Sequence, residues 1–222
     1  YKNSDKLVYK PRNMSVDIFW GNFLQYFRQI DNTILLRGVD TISMEGYGYA
    51  KYIQYMPVMN AEELQQYYYQ CGALLSIISL LNGSDFHYEN LIVSNGIPVL
   101  VDVETLITSY AKSQYATTKN QEQYLPEVNV IKSLLLSKWV GKTVNGAVNI
   151  GAFMAVNEKN KNYPKHENGN PAYIDEYMDD FVRGFRNVFL DIIKNKKDIL
   201  RLVEKTENIS LRFVLRNTRV YY

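Results

Sequence analysis

One long helical segment constrains the fold of this chain more than any other feature of its sequence. Across Ala61–Leu81, apolar and aromatic residues recur every three or four positions, which predicts a helix with one broad apolar face. Asn82 and Gly83 follow the segment and are residue types that end helices. Other elements must cover such a face, because packing supplies most of a helix's stability. The face consists of Leu64, Tyr67, Tyr68, Cys71, Leu74, Leu75, Ile78 and Leu81.

Shorter elements are predicted before this helix. Leu7–Tyr9 is apolar, β-branched and aromatic and is soon followed by a proline, which favours a short strand. Met14–Ile30 has apolar residues at helical spacing, which predicts an amphipathic helix. Thr33–Arg37 and Tyr47–Tyr55 have the composition of strands.

After the helix, the sequence predicts a loop over Ser84–Asn90 and then a hairpin. Leu91–Ser94 and Pro98–Val103 are its predicted strands, because Asn95-Gly96 between them suits a tight turn. Helical residues outnumber strand residues and the two kinds of element do not alternate strictly, so we expect an α+β architecture. The remaining predictions are polar stretches at Ser109–Pro126 and Asn157–Asn170, helices at Val128–Val140, Tyr173–Lys194 and Asp198–Glu204, and a strand at Ile209–Val214.

Composition excludes several broad classes of protein. A length of 222 residues suits one domain or two small ones, and 46% hydrophobic with 22% charged residues excludes wholesale disorder. The net charge of +2 gives no strong attraction to nucleic acid or anionic membranes. The single Cys71 excludes an intrachain disulfide framework and a four-cysteine zinc site. No signal peptide and no apolar stretch of bilayer length is visible, so we expect a cytoplasmic protein without a transmembrane segment.

Side chains that could act in catalysis or bind a metal lie on both sides of the predicted hairpin. Asp85-x-His87-x-x-Asn90 precedes it, and Asp102-x-Glu104 follows it. Phosphoryl transfer needs metal ligands and a group that orients the nucleophile, and hard oxygen ligands suit Mg²⁺. Asn90 and Asp102 are therefore candidates to share a metal, with Glu104 as an additional ligand. Asp85 would orient or deprotonate a hydroxyl, and His87 would stabilise charge or hold the loop.

A lysine and two arginines are further candidates for phosphate binding. Lys10 ends the first predicted strand, and a strand lysine pairs with nucleotide phosphates in kinases. Asp17 and Glu45 are candidates for its acidic partner. Near the other end, Arg212 and Arg216 suit bidentate phosphate binding or are ordinary surface arginines of a strand. Each residue alone also has a structural explanation, because Asp and Asn are common in turns. It is their order along the chain that favours a function.

Several motifs in this order resemble the dehydratase domain of class II lanthipeptide synthetases, the LanM type. The Asp-x-His-x-x-Asn loop with its following aspartate also resembles lipid kinases of the phosphoinositide 3-kinase type. The motifs are Tyr9-Lys10-Pro11-Arg12, Ser15-Val16-Asp17, Tyr47-Gly48-Tyr49, Tyr68, Gly72, Leu75, Gly83–Asn90, Asp102–Leu106 and Arg212–Thr218.

The resemblance implies a kinase-like, lipid-kinase-like fold with two lobes. Residues 1–60 would be a partial small lobe that carries the strand lysine, and residues 61–222 the large catalytic lobe. It also implies a two-step reaction that uses ATP and Mg²⁺. Ser and Thr hydroxyls of a ribosomal precursor peptide are phosphorylated, and phosphate is then eliminated, so the enzyme is both a transferase and a lyase. The implied roles are Lys10, Asn90 and Asp102 for ATP, Asp85, His87 and Asn90 for the catalytic loop, Asn90, Asp102 and Glu104 for the metal, and Arg212 and Thr218 for elimination.

The resemblance further implies partners and a longer protein. The precursor peptide carries a leader, and full-length LanM enzymes add a C-terminal zinc cyclase. One cysteine and two histidines leave no room for that zinc site here. A complete kinase small lobe also needs strands and a phosphate-covering loop before Lys10, so we expect a fragment with an incomplete small lobe. Two alternatives remain open. One is a small-molecule or lipid kinase without elimination activity, and the other is a non-catalytic, pseudokinase-like module that binds a peptide.

Overall fold

The computed structural model describes residues 6–107, 127–141, 147–155, 157, 159–206 and 209. In the first part of the chain, the elements are β1 (Leu7–Lys10), α1 (Ser15–Ile30), β2 (Thr41–Ser43), β3 (Gly48–Lys51), β4 (Val58–Met59) and α2 (Ala61–Leu80). A 3₁₀ turn at Tyr88–Asn90 then leads into β5 (Leu91–Ser94) and β6 (Ile97–Leu100). The later elements are α3 (Glu127–Lys132), β7 (Trp139–Val140), β8 (Val148–Asn149), β9 (Lys165–His166), a 3₁₀ turn at Ile174–Tyr177, α4 (Met178–Lys194) and α5 (Lys196–Glu204).

A three-stranded antiparallel sheet in the order β1-β3-β2 carries Lys10. The register places Lys10 opposite Gly48, at the end of β1 nearest helix α1. Position 48 requires glycine, because a Cβ atom there would collide with the Met14 side chain and the Ile42 carbonyl oxygen. This close approach packs the sheet against the start of α1 and fixes where Lys10 leaves the sheet.

Helix α2 is the centre of the core. It begins with a capping box in which the Asn60 side chain accepts from the Glu63 backbone N–H and the Glu63 side chain accepts from the Asn60 N–H. Thirteen of its residues are buried, which explains why the apolar residues in its sequence cover a broad face of the helix. The buried hydroxyls of Tyr67 and Tyr68 donate to the carbonyl oxygens of Asn162 and Ala172, at 3.3 and 2.7 Å. These bonds anchor the later part of the chain to α2.

The junction between α2 and α4 depends on two glycines. A Cβ atom on Gly72 would collide with the backbone of Phe181, and one on Gly184 would collide with the backbone of Tyr69. The two helices therefore approach more closely than larger residues would allow. Aromatic side chains fill the surroundings, including Phe153 and Phe181, whose rings lie 5.8 Å apart.

The predicted hairpin is confirmed, with strands β5 and β6 paired in antiparallel register. Asn95 and Gly96 both have positive φ angles, 51° and 71°, as the tight turn requires. All four residues of β6 are buried. The hairpin is thus a core element, and it sets the position of the acidic residues that follow it.

The helices predicted over Met14–Ile30 and Ala61–Leu81 are confirmed, whereas other predictions are wrong. Thr33–Arg37 forms no strand, because the Gln70 side chain accepts from the Leu35 N–H at 2.9 Å in place of a strand partner. The helix predicted to reach Val140 ends at Lys132, since Leu134 has a φ of 62°.

The remaining differences concern lengths and boundaries. The strand predicted over Tyr47–Tyr55 is limited to β3, and the loop at Asn157–Asn170 contains β9. The helix predicted from Tyr173 begins as a 3₁₀ turn. The polar stretch Ser109–Pro126 and all of the late strand except Ile209 lie outside the described residues. No helix within the described ranges has the length and apolar character to cross a bilayer.

Candidate functional site

Lys10 meets the acidic residue that follows the hairpin. Its Nζ lies 3.8 Å from Asp102 Oδ2 and donates to the Val101 carbonyl oxygen at 3.4 Å. Of the acids considered for Lys10 from sequence, Asp17 instead pairs with Arg12. The contact joins two segments that are 91 residues apart in the chain. The structure thus brings together two residues that the sequence assigned to phosphate and metal binding.

Arg12 gathers three carboxylates at the same place, although the sequence did not single it out as a site residue. Its Nη1 and Nη2 donate to the two oxygens of Asp17 at 2.6 and 3.2 Å. Nη2 also donates to Asp102 Oδ1 at 3.2 Å, and Nε lies 3.6 Å from Glu104 Oε2. Its position two residues after Lys10, with an acid in the first turn of α1, was the available signal.

We call Lys10, Arg12, Asp17, Asp102 and Glu104 the charged cluster. Its two cations and three carboxylates leave one net negative charge. The side chains are only partly exposed, from 8% for Asp17 to 30% for Asp102. Burial of the guanidinium lowers the pKa of Arg12, but the hydrogen bond and charge of Asp17 with the charges of Asp102 and Glu104 outweigh it, so that this pKa is raised. Arg12 therefore stays charged, as guanidinium groups do in proteins.

The Asp85–Asn90 loop is held by its own backbone. Asp85 has a φ of 66°, a conformation that Asp tolerates better than most residues. The Asn90 side chain donates through Nδ2 to the Asp85 carbonyl oxygen at 2.8 Å. Because Nδ2 is used in this bond, the Asn90 amide presents Oδ1 as its acceptor atom.

His87 holds this loop in place. Its Nδ1 accepts from the Glu89 N–H at 3.3 Å, and its backbone forms a β-bridge with Gly151. The same Nδ1 lies 3.7 Å from a Glu89 carboxylate oxygen. A nitrogen that accepts a hydrogen bond carries no proton, so in this tautomer the contact with the carboxylate is not an ion pair. Of the two roles expected for His87, the geometry supports loop positioning.

Hydrogen bonds fix the loop to the residues after the hairpin. The Val101 N–H donates to the Asn90 carbonyl oxygen at 3.0 Å, directly beside Asp102. The Ser84 N–H donates to the Thr105 carbonyl oxygen at 3.1 Å, and the Thr105 hydroxyl donates back to Ser84. The loop and the acidic residues are therefore parts of one local structure.

Three side chains of this region carry the type of oxygen donor that Mg²⁺ uses. Asn90 Oδ1 and the carboxylates of Asp102 and Glu104 are hard donors, and Mg²⁺ commonly uses one or two carboxylates with substrate phosphates. Across the described part of the chain, no three His, Cys, Asp or Glu side chains are arranged to hold a metal.

Two further features complete the description of the site. Arg212, Arg216 and Thr218 lie outside the described residues. A cavity of about 700 Å³ lies at the other end of the sheet, among Lys6, Arg37 and other residues, and includes none of the predicted site residues. The site is thus identified by its contacts and not by the size of a cavity.

Two comparisons with known proteins bear on this site. The chain matches a family described as a domain of unknown function, DUF4135, over residues 1–167 and 152–222. It is also similar to the lacticin 481/lactococcin biosynthesis protein LcnDR2 of Lactococcus lactis subsp. lactis, with 26% identity over 265 aligned residues. That alignment covers 99% of this chain, and the chain spans 28% of the length of this relative.

Proposed function

This chain belongs to the DUF4135 family, and we propose that it is the dehydratase part of a lanthipeptide-modifying enzyme. In this proposal it phosphorylates Ser and Thr hydroxyls of a precursor peptide with ATP and then eliminates the phosphate. The similarity to LcnDR2, a lacticin 481/lactococcin biosynthesis protein, supports a role in peptide modification. We further propose a lipid-kinase-like fold, with residues 1–60 in a small lobe and 61–222 in a large lobe.

The contact between Lys10 and Asp102 is the observation that carries the proposal. Kinases place a strand lysine on the nucleotide phosphates and an aspartate on the metal, with the two facing each other across the site. Here a strand lysine and an aspartate that follows a buried hairpin lie 3.8 Å apart. The loop with Asp85 and Asn90 is hydrogen-bonded to the same segment.

The phosphorylation step assigns a role to each of these residues. The peptide hydroxyl oxygen bonds to the γ-phosphorus of ATP as the bond from that phosphorus to the bridging oxygen breaks, and ADP leaves. Asp85 orients the hydroxyl and accepts its proton. Lys10 offsets the charge on the phosphate oxygens. Asn90, Asp102 and Glu104 would hold Mg²⁺, and a bound Mg²⁺ would neutralise negative charge on the phosphates.

The assignment of the elimination step rests on the resemblance of Arg212–Thr218 to a motif of LanM dehydratase domains. These residues lie outside the described part of the chain. A base removes the α-proton of the phosphorylated residue, the Cβ–O bond breaks, and phosphate leaves with the bonding electrons. Arg212 would stabilise the departing phosphate, and Thr218 would assist this step. The products are dehydroalanine from Ser and dehydrobutyrine from Thr.

Mass spectrometry of the precursor peptide tests the proposal in the full-length protein. We expect Asn90→Ala to abolish both the phosphorylated and the dehydrated peptide, because the metal loses a ligand. We expect Arg212→Ala to let phosphorylated peptide accumulate, because only the second step fails. Asn168→Ala, in an exposed loop, is the matched control and should dehydrate the peptide normally. Normal dehydration by the Asn90→Ala variant would contradict the proposal.

A kinase without elimination activity is the second candidate. Such an enzyme would need Lys10, Asp102 and the Asp85–Asn90 loop, whose contacts are given above, but not Arg212 or Thr218. A stable phosphorylated product in the wild-type enzyme would support this candidate. Retained binding of the peptide without binding of Mg·ATP would instead indicate a pseudokinase-like module.

A further inference from the structure

We propose that Arg12 is a positioning residue that sets the orientation of Asp102 and Glu104 for metal and phosphate binding. This inference rests on the proposed function and deepens it. Arg12 acts through the two carboxylates and does not itself touch the reacting atoms. Its effect is to fix the residues after the hairpin against helix α1.

The guanidinium is used on all of its nitrogens. Nη1 donates to the Asn13 carbonyl oxygen at 3.1 Å and to Asp17, and Nη2 donates to Asp17 and Asp102. Nε faces Glu104 at 3.6 Å. A planar group with five N–H donors can satisfy such a set at once, whereas a lysine ammonium cannot present the same fork. The contacts therefore require arginine and not merely a positive charge.

Asp102 is held from two sides by different cations. Its Oδ1 faces Arg12 Nη2 at 3.2 Å, while its Oδ2 faces Lys10 Nζ at 3.8 Å. The Glu104 N–H also donates to Oδ1 at 3.4 Å. With each oxygen engaged by a different group, the plane of the carboxylate is fixed. Loss of Arg12 would remove its hydrogen bond to Asp102 Oδ1 and its contact with the Glu104 carboxylate.

Anchoring of helix α1 is the competing explanation for Arg12. Asp17 is only 8% exposed and lies in the first turn of α1, so its bidentate pair with Arg12 stabilises the start of the helix. An anchoring role alone needs only the contact with Asp17. Anchoring of the helix does not explain why Arg12 also contacts two carboxylates some 90 residues away in the chain.

Variants of the full-length protein separate the two explanations. Arg12→Gln removes the fork, whereas Asp17→Asn weakens the pair with α1 and leaves Arg12 its contacts with Asp102 and Glu104. The first readout is the thermal unfolding midpoint. The second is the binding of Mn²⁺ with ATP, which is measured from the electron paramagnetic resonance signal of free Mn²⁺. We expect both variants to lower the midpoint, but only Arg12→Gln to weaken Mn·ATP binding, by about tenfold. Arg12→Lys should recover part of that affinity.

Two results would overturn the positioning role. One is that Asp17→Asn weakens Mn·ATP binding as much as Arg12→Gln does, because Arg12 would then act only through α1. The other is full recovery by Arg12→Lys, because charge alone would then suffice.

A second measurement separates this inference from the proposed function. Unfolding midpoints of Arg12→Gln, Glu104→Gln and the double variant form a mutant cycle. Non-additive midpoints support the pairing of Arg12 with Glu104, and additive ones contradict the positioning role. If the wild-type protein binds no Mn·ATP while the cycle is non-additive, the proposed function is wrong and the positioning of Glu104 by Arg12 stands.

Discussion

The α2–α4 junction and the charged cluster are held together by different forces. At the junction, Gly72 and Gly184 let two helix backbones meet, and buried apolar side chains surround them. In the charged cluster, two cations and three partly exposed carboxylates connect segments that are distant in the chain. The difference implies that changes at the junction reduce stability most, whereas changes in the cluster reduce it less and also affect the proposed chemistry.

The largest loss of stability is expected at the junction. Gly184→Val places side-chain atoms against the Tyr69 backbone, which cannot move without shifting α2, so we expect a loss of about 3 kcal/mol or more in the free energy of unfolding. Urea denaturation followed by circular dichroism measures it. Gly21→Ala is the matched control, since a Cβ atom there meets no other atom within 4 Å. Equal midpoints for Gly184→Val and the wild type would contradict the close helix packing.

A smaller loss is expected from the anchor of the charged cluster. Asp17→Asn leaves the Arg12 guanidinium without its bidentate carboxylate, so we expect a loss of about 2 kcal/mol in the free energy of unfolding. Because Asp17 is nearly buried, added salt should change this loss little. The exposed Glu167→Gln variant serves as the control. A loss that disappears at high salt would show that the pair is a surface contact.

High pH should weaken the region around α2 without discharging Arg12. Burial and then the neighbouring Tyr163 raise the pKa of Tyr55 to about 12, and burial raises the pKa of Tyr67 further above its ordinary value. In the unfolded chain these phenols lose their protons near pH 10. The stability that they contribute is therefore complete below pH 10 and, for Tyr55, is lost as the pH rises to about 12.

Urea midpoints measured between pH 9 and pH 11.5 check this dependence. We expect the midpoint to fall above pH 10, and to fall less steeply in Tyr55→Phe, which has no phenol to titrate at that position. An identical slope in that variant would contradict the assignment to Tyr55.

The smallest effect is expected at a charge pair outside both regions. Arg201 Nη1 lies 3.2 Å from Asp198 Oδ1, but both side chains are at least 60% exposed. Exposed pairs contribute little, so Asp198→Asn should change the free energy of unfolding by less than about 0.5 kcal/mol. A loss in the free energy of unfolding as large as that of Asp17→Asn would contradict the expectation that buried charge pairs stabilise the protein more than exposed ones.

The sequence predicted features that follow from local periodicity or turn chemistry. Helix α2 and the turn at Asn95-Gly96 belong to this group, because apolar spacing and glycine conformation are visible residue by residue. The sequence could not show that Gln70 satisfies the backbone of Leu35, or that Leu134 ends a helix, because both depend on distant packing.

The residues of the candidate site also fall into those that the sequence predicted and those that it did not. The residues of the Asp85–Asn90 loop and the acids after the hairpin were predicted as candidates from their order. Asp17 and Glu45 were the candidates for the partner of Lys10, which is Asp102, and Arg12 was missed. Ion pairs between segments some 90 residues apart have no local signal in the sequence. A search for arginines near a candidate phosphate-binding lysine would have found Arg12.

The most direct test of the central claim uses Asp102→Asn in the full-length Arg212→Ala background. Arg212→Ala should accumulate phosphorylated precursor peptide, so that the first step alone is measured by mass spectrometry. Asp102→Asn removes the charge that faces Lys10, at a proposed metal ligand, while keeping the side-chain shape. The proposal predicts that phosphorylated peptide is no longer detected with the double variant. Phosphorylation at the rate of the Arg212→Ala parent would contradict a phosphoryl-transfer site at Lys10 and Asp102.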